Sequence, residues 1–158
     1  MTTAASFGIA KRSQIDATTA GVAVAVKQSK PSVRVIGVEP VGAAAMKASI
    51  AADHPVTLAK TESVADGLMP VRPGDLTFAH VKAFVDSVIT VDDQQIINAV
   101  RWIYEHAKIV AEPSGAASVA AALDGSLHRL LSLDRHDPVV AIVSGGNIAL
   151  EKLRSLCA

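Results

Sequence analysis

Two stretches decide the fold: Lys108-Ile109-Val110-Ala111-Glu112-Pro113-Ser114-Gly115-Ala116-Ala117 and Val139-Val140-Ala141-Ile142-Val143-Ser144-Gly145-Gly146-Asn147-Ile148. Each reads as an apolar strand, a tight polar turn and the first turn of a helix. Runs of four to six apolar, mostly β-branched residues suit a strand buried on both faces of a parallel sheet. Glu-Pro-Ser-Gly and Ser-Gly-Gly-Asn break those runs, and helix formers follow them. In open α/β sheets, ligands sit where a parallel strand ends and a helix begins. Free backbone N–H groups at such a turn favour an anion or a ring acceptor.

Working outward, the same alternation of strand and helix recurs along the chain. Residues 1–15 read as an irregular lead-in, polar at Lys11, Arg12, Ser13 and Gln14. Asp16 is placed to cap a helix over 17–28, which Ser29-Lys30-Pro31 stops. A buried strand is expected over 33–38, ended by Glu39-Pro40, and an Ala-rich helix over 42–52. Residues 53–74 are rich in turns, with Pro55, Pro70 and Pro73. Asp75 opens a helix through Val85, and Ser87 to Val91 reads as a strand. Asp92 with Gln95 forms a near capping box for a helix to His106, striped by Ile96, Ile97, Val100, Ile103 and Tyr104. A last helix is expected over 148–156. With short connections and no hairpin signal, this pattern predicts an α/β fold: an open three-layer parallel sheet with helices on both faces. The expected organisation is a lead-in over 1–15 and a single α/β domain over 16–158.

The chain has 158 residues, half of them hydrophobic and only 3% aromatic. A core of small aliphatic side chains fits helices laid closely on a sheet. Fifteen Lys plus Arg balance fifteen Asp plus Glu, leaving no electrostatic footprint for nucleic acid or an anionic membrane. The longest low-polarity run, residues 17–26, is too short to span a bilayer. Met1-Thr2-Thr3-Ala4-Ala5-Ser6 lacks the basic region of a signal peptide. The single cysteine, Cys157, cannot form an internal disulfide, which fits a reducing cytoplasm.

Glu112-Pro113-Ser114-Gly115-Ala116 followed by Val143-Ser144-Gly145-Gly146-Asn147 resembles the carboxy-terminal part of the threonine/serine dehydratases. These enzymes, with serine racemase, belong to the tryptophan-synthase-β-like (fold type II) pyridoxal-phosphate family. Val33-Arg34-Val35-Ile36-Gly37-Val38-Glu39-Pro40 and Ser63-Val64-Ala65-Asp66-Gly67-Leu68 match further motifs in the family's order. The likeness runs from about Gly21 to Leu153 and implies a truncated version of the family's large domain.

The resemblance also implies roles. Ser144 matches the serine that hydrogen-bonds the cofactor's pyridine nitrogen, a neutral partner that tempers the ring as an electron sink. The plain alternative is that Ser144 and Asn147 satisfy helix N–H groups. Gly67 matches a glycine whose backbone lies beside the ring; otherwise it is a turn glycine. Glu112 would point toward the site, or its carboxylate would cap the helix beginning near Pro113. Ser144, Gly67, Glu112, Gly145 and Asn147 are the candidate cofactor-binding residues. A divalent-cation site of some family members maps to Glu39, Ala43 and Ala45. Its last carboxylate is replaced by a methyl, so no metal is expected. The five histidines, His54, His80, His106, His128 and His136, show no ligand spacing.

Departures from the family pattern weigh as much. The lysine that holds the cofactor as a Schiff base lies, in the family, in a part with no counterpart here, and Lys11-Arg12 fits its context poorly. Gln14-Ile15-Asp16-Ala17-Thr18-Thr19 stands where the family has a phosphate-binding glycine run. No catalytic residue and no cofactor are therefore expected in this chain. A mean hydropathy of +0.36 at zero net charge, with apolar faces uncovered by the missing part, suggests a homo-oligomer, a two-fold dimer by preference. Two readings stay open: a catalytically incompetent remnant acting as an oligomeric binding or scaffold module, or part of a serine/threonine ammonia-lyase completed by another chain. A sensor of a small amino acid or anion, reusing the Ser144 turn, is a third.

Overall fold

The computed structural model describes residues 4–7, 15–134 and 137–157, with side chains from residue 18 onward. Strands β1 (Ala4–Phe7), β2 (Arg34–Pro40), β3 (Ser87–Val91) and β4 (Val139–Ala141) form one sheet in the order β3-β2-β1-β4. All three pairings are parallel. Side chains alternate across β2. Val35 faces Ala23, Val22 and Val26 of helix α1 (Ile15–Ser29), together with Phe84 at the end of α3 (Asp75–Phe84). Ile36 and Val38 face the main core on the other side. That core is built from Ile96, Ala99 and Val100 of α4 (Asp93–Trp102) and Ala116, Ala117 and Ala120 of α5 (Pro113–Leu123). Leu127 and Leu131 of α6 (Ser126–Leu131) and Leu153 of α7 (Leu150–Cys157) complete it. The chain thus forms the expected open three-layer parallel α/β sheet with helices on both faces.

Small side chains explain the close packing. Helix α5 is buried from Pro113 through Ala121, and its alanines and serines let it lie against α4 and the sheet. Asp92 caps α4 with a complete capping box: its carboxylate accepts the Gln95 N–H at 2.8 Å, and the Gln95 side chain accepts the Asp92 N–H at 2.7 Å. Helix α2 (Ala45–Ala52) takes its cap from farther away. Glu39, the penultimate residue of β2, accepts the N–H groups of Met46 at 2.8 Å and Lys47 at 2.9 Å.

Several expectations need correction. The lead-in expected over 1–15 to be irregular holds strand β1, lying between β2 and β4. Helix α1 begins at Ile15, so Asp16 falls inside its first turn. The polar group Lys11 to Gln14 lies outside the described residues. Asp75 is the first helical residue of α3, not its cap, and pairs with Arg72 at 2.6 Å. A strand expected before Glu112 is absent: residues 108–112 join no ladder. The strand expected over 139–143 to be buried on both faces is three residues long and lies at the sheet edge. Val140 is 49% exposed. The helix expected through His106 ends at Trp102 and continues as a π-helical turn, Ile103–Ala107. Among the described residues no helix is long and apolar enough to cross a membrane.

Candidate functional site

The strand order creates the place where a site belongs. The first three strands step outward across the sheet, and β4 returns to the far side of β1. β1 leads into α1 on one face, whereas β4 leads into α7 on the other. Neighbouring parallel strands whose connections depart to opposite faces leave a crevice beyond their carboxyl ends. Ser144 stands three residues past the end of β4, in the segment that leaves its carboxyl end.

Ser144 is 9% exposed, and its hydroxyl oxygen is buried with no hydrogen-bond partner. A buried hydroxyl without a partner costs about 1–3 kcal/mol and therefore calls for an explanation. It does not cap a helix, because α7 starts six residues later. Around it three glycines allow backbone segments to dovetail. The Ser144 carbonyl lies where a Gly115 Cβ would be, so α5 presses directly against the turn. Gly145 has φ of 85° and carries the Glu112 side chain over its Cα. A Cβ at Gly146 would come within 2.6 Å of the Val110 carbonyl oxygen. The Glu112 N–H donates to the Gly145 carbonyl at 3.1 Å, closing the two segments together.

Glu112 occupies the N-cap position of α5, but its backbone does the capping. Its carbonyl accepts from Gly115 at 2.9 Å and Ala116 at 3.1 Å, and its carboxylate makes no cap bond. The carboxylate lies against Gly145, so the expectation that it caps α5 is not met. Gly67 enters from a different part of the chain. Its N–H donates to Ser114 Oγ at 3.0 Å and to Asp66 Oδ1 at 2.9 Å. Ser114 immediately precedes Gly115, so the Gly67 turn and the Ser144 turn meet at the start of α5. Ser144, Gly67, Glu112 and Gly145 are thereby brought together, while Asn147 is exposed.

Charge is sparse here. Lys152 on α7 approaches Asp66 at 3.8 Å. Farther along the turn-rich segment, the Lys60 ammonium and Glu62 carboxylate hydrogen-bond at 2.5 Å, raising the lysine pKa and lowering that of the glutamate. Both are fully exposed, so solvent screens the pair. Neither oxygen of Glu39 points away from protein donors, and Ala45 beside it is buried. Among the described residues no cluster of three or more His, Cys, Asp or Glu converges to hold a metal.

Sequence reasoning passed over Ser114 and Asp93. The only local hint for Ser114 was a hydroxyl directly after a proline at a helix start. Asp93, next to the capping Asp92, looked like ordinary first-turn charge.

Comparison with known proteins gives this geometry its family. A model described as pyridoxal-phosphate dependent enzyme matches residues 17–145. The serine racemase of Oryza sativa subsp. japonica is 42% identical over 130 residues, which are 82% of this chain and 38% of that protein. The L-threonine ammonia-lyase of Thermotoga maritima is 41% identical over 129 residues, 81% of this chain and 30% of its own. The structure of maize serine racemase aligns with a TM-score of 0.83 at 37% identity, covering 98% of this chain and 46% of that one. The chain spans less than half the length of each of these relatives. An orphaned serine at the switch point of a parallel sheet, the shared motifs and these similarities agree: the chain belongs to the fold type II pyridoxal-phosphate-dependent enzymes, among the serine racemase-like and threonine/serine dehydratase-like members.

Proposed function

We propose that this chain is the ring-facing portion of a dehydratase-like pyridoxal-phosphate domain, catalytically incompetent by itself and acting as an oligomeric binding module. The observation that carries the reading is the buried, unpartnered Ser144 hydroxyl in the turn beyond β4. A pyridine nitrogen would satisfy it, so the ring end of pyridoxal phosphate fits the residues present. When bound, that cofactor supplies an electron sink for carbanion chemistry at an amino acid. Ser144 would donate a hydrogen bond from its hydroxyl to the ring nitrogen, which stays unprotonated and neutral. Gly67 would present backbone to one side of the ring, and Glu112 and Gly145 would close the floor of the seat. Asn147 would act from the exposed rim of the turn.

The other end of the cofactor finds less support. Helix α1 starts at Ile15 without a preceding glycine run in the sequence, and such a run is what closes backbone N–H groups on a phosphate. Lys152, the described lysine that reaches the Gly67 turn, is ion-paired with Asp66 at the surface. Cys157, exposed and unpaired, is consistent with a cytoplasmic setting. The second reading, a lyase completed by another polypeptide, draws on the short span of the relatives covered and on the half-exposed β4 edge.

The test uses 4-deoxypyridoxine, which has the ring but no aldehyde. Calorimetric titration should show binding by the isolated chain, weakened about tenfold in Ser144→Ala, the worth of one hydrogen bond. Equal affinity in the two proteins, or no binding by either, would sink the ring seat. Incubation with pyridoxal phosphate and serine or threonine should yield no 2-oxo acid. Steady deamination by the purified chain would overturn its incompetence.

A further inference from the structure

Two side chains at helix starts are spent on a distant loop and not on their own helices. Asp93 is the first residue of α4, whose cap Asp92 already supplies. Both Asp93 oxygens turn away from the helix: Oδ1 accepts the Ser63 hydroxyl at 2.6 Å, and Oδ2 accepts the Val64 N–H at 3.1 Å. Ser114 is the second residue of α5 and fully buried, and its Oγ accepts the Gly67 N–H. Between these anchors the loop is tight. The Ala65 N–H donates to Ser63 Oγ at 3.1 Å, the Leu68 N–H to the Ala65 carbonyl at 2.8 Å, and both apolar side chains sink into the core. Ser114 also stands beside Gly115, against which the Ser144 carbonyl packs. One serine therefore touches the Gly67 turn while its neighbour carries the Ser144 turn.

We infer that Ser114 and Asp93 are positioning residues of the ring seat. Ser114 sets the spacing between the Gly67 backbone and the Ser144 hydroxyl, and Asp93 sets the approach of the 63–68 loop. This deepens the reading of Ser144 and Gly67 as the seat and rests on it. A hydroxyl with a merely structural role would stabilise the fold without governing Gly67.

Ser49 provides a matched control: it is buried in α2, and its Oγ likewise accepts a loop N–H, from Val56 at 2.8 Å, in a segment that carries neither Ser144 nor Gly67. Ser114→Ala, Asp93→Asn and Ser49→Ala are compared in the whole chain by three measurements: urea unfolding, amide hydrogen exchange at Gly67, and 4-deoxypyridoxine affinity. Ser114→Ala should speed Gly67 exchange about tenfold beyond any change in global stability, and weaken the ring severalfold. Asp93→Asn should do the same to a smaller extent, since the amide keeps one acceptor. Ser49→Ala should lose stability while both other readouts hold. Unchanged Gly67 exchange in Ser114→Ala, or losses that Ser49→Ala reproduces, would overturn the positioning role even if the wild-type chain binds the ring. A wild-type chain that ignores the ring while Gly67 still responds to Ser114 would overturn the seat, and the positioning role with it.

Discussion

Gly115 and Gly21 show how differently one residue type is used in two helices. At Gly115 a Cβ would collide with the Ser144 carbonyl, a backbone atom that cannot swing aside. Gly115→Ala should cost at least about 2 kcal/mol in urea unfolding, and should displace the Ser144 turn so that ring affinity falls with it. Gly21 is exposed in α1 with nothing within 4 Å of its would-be Cβ. Gly21→Ala should raise stability by about 0.5–1 kcal/mol, because alanine loses less backbone freedom in a helix. A destabilised Gly21→Ala, or a silent Gly115→Ala, would contradict this account of the packing. At this scale the sequence exposes residues with local signatures. Ser144, Gly67 and Glu112 stood out through motifs; Ser114 and Asp93 did not. Their hydrogen bonds join positions 47 and 30 residues apart, and no short pattern encodes such pairs.

Elements were legible where their ends are chemically marked. Asp92 and Gln95 announced the start of α4, and both halves of the capping box are present. Asp92→Ala removes the acceptor for the Gln95 N–H and should lower stability by about 1 kcal/mol, a melting-point drop of about 2–4 °C by calorimetry. An unchanged melting point would mean that solvent replaces the cap. Strand β1 was illegible for the opposite reason. Ala4-Ala5-Ser6-Phe7 has no apolar run and little strand preference; pairing with β2 on one side and β4 on the other makes it a strand. The converse holds for residues 108–112, whose apolar run suggested a strand. There the Gly145 carbonyl accepts the Glu112 N–H, Gly146 leaves room for the nearby Val110 carbonyl, and no ladder develops.

For the whole molecule, the order β3-β2-β1-β4 has consequences at its β4 end. Among the described residues β4 pairs only with β1, so its outer backbone groups have no strand partner. Val140 is 49% exposed on this edge, Val143 is 37% exposed just beyond it, and Val110, whose carbonyl meets Gly146, is 44% exposed. A bare edge flanked by apolar side chains favours association, and natural sheets guard such edges with lysine. This motivates the proposed two-fold homodimer across β4. Val140→Lys places a charge at the edge without removing buried contacts, so its unfolding free energy should stay within about 0.5 kcal/mol of the parent. Sedimentation equilibrium at micromolar concentration should give a dimer for the parent chain and a monomer for Val140→Lys. Because the proposed ring seat draws on Ser144, Gly67 and Glu112 of a single chain, both species should bind 4-deoxypyridoxine alike. A parent chain already monomeric would remove the dimer. A dimer that survives Val140→Lys would move the interface elsewhere, to the exposed Leu130 of α6 or Leu150 of α7.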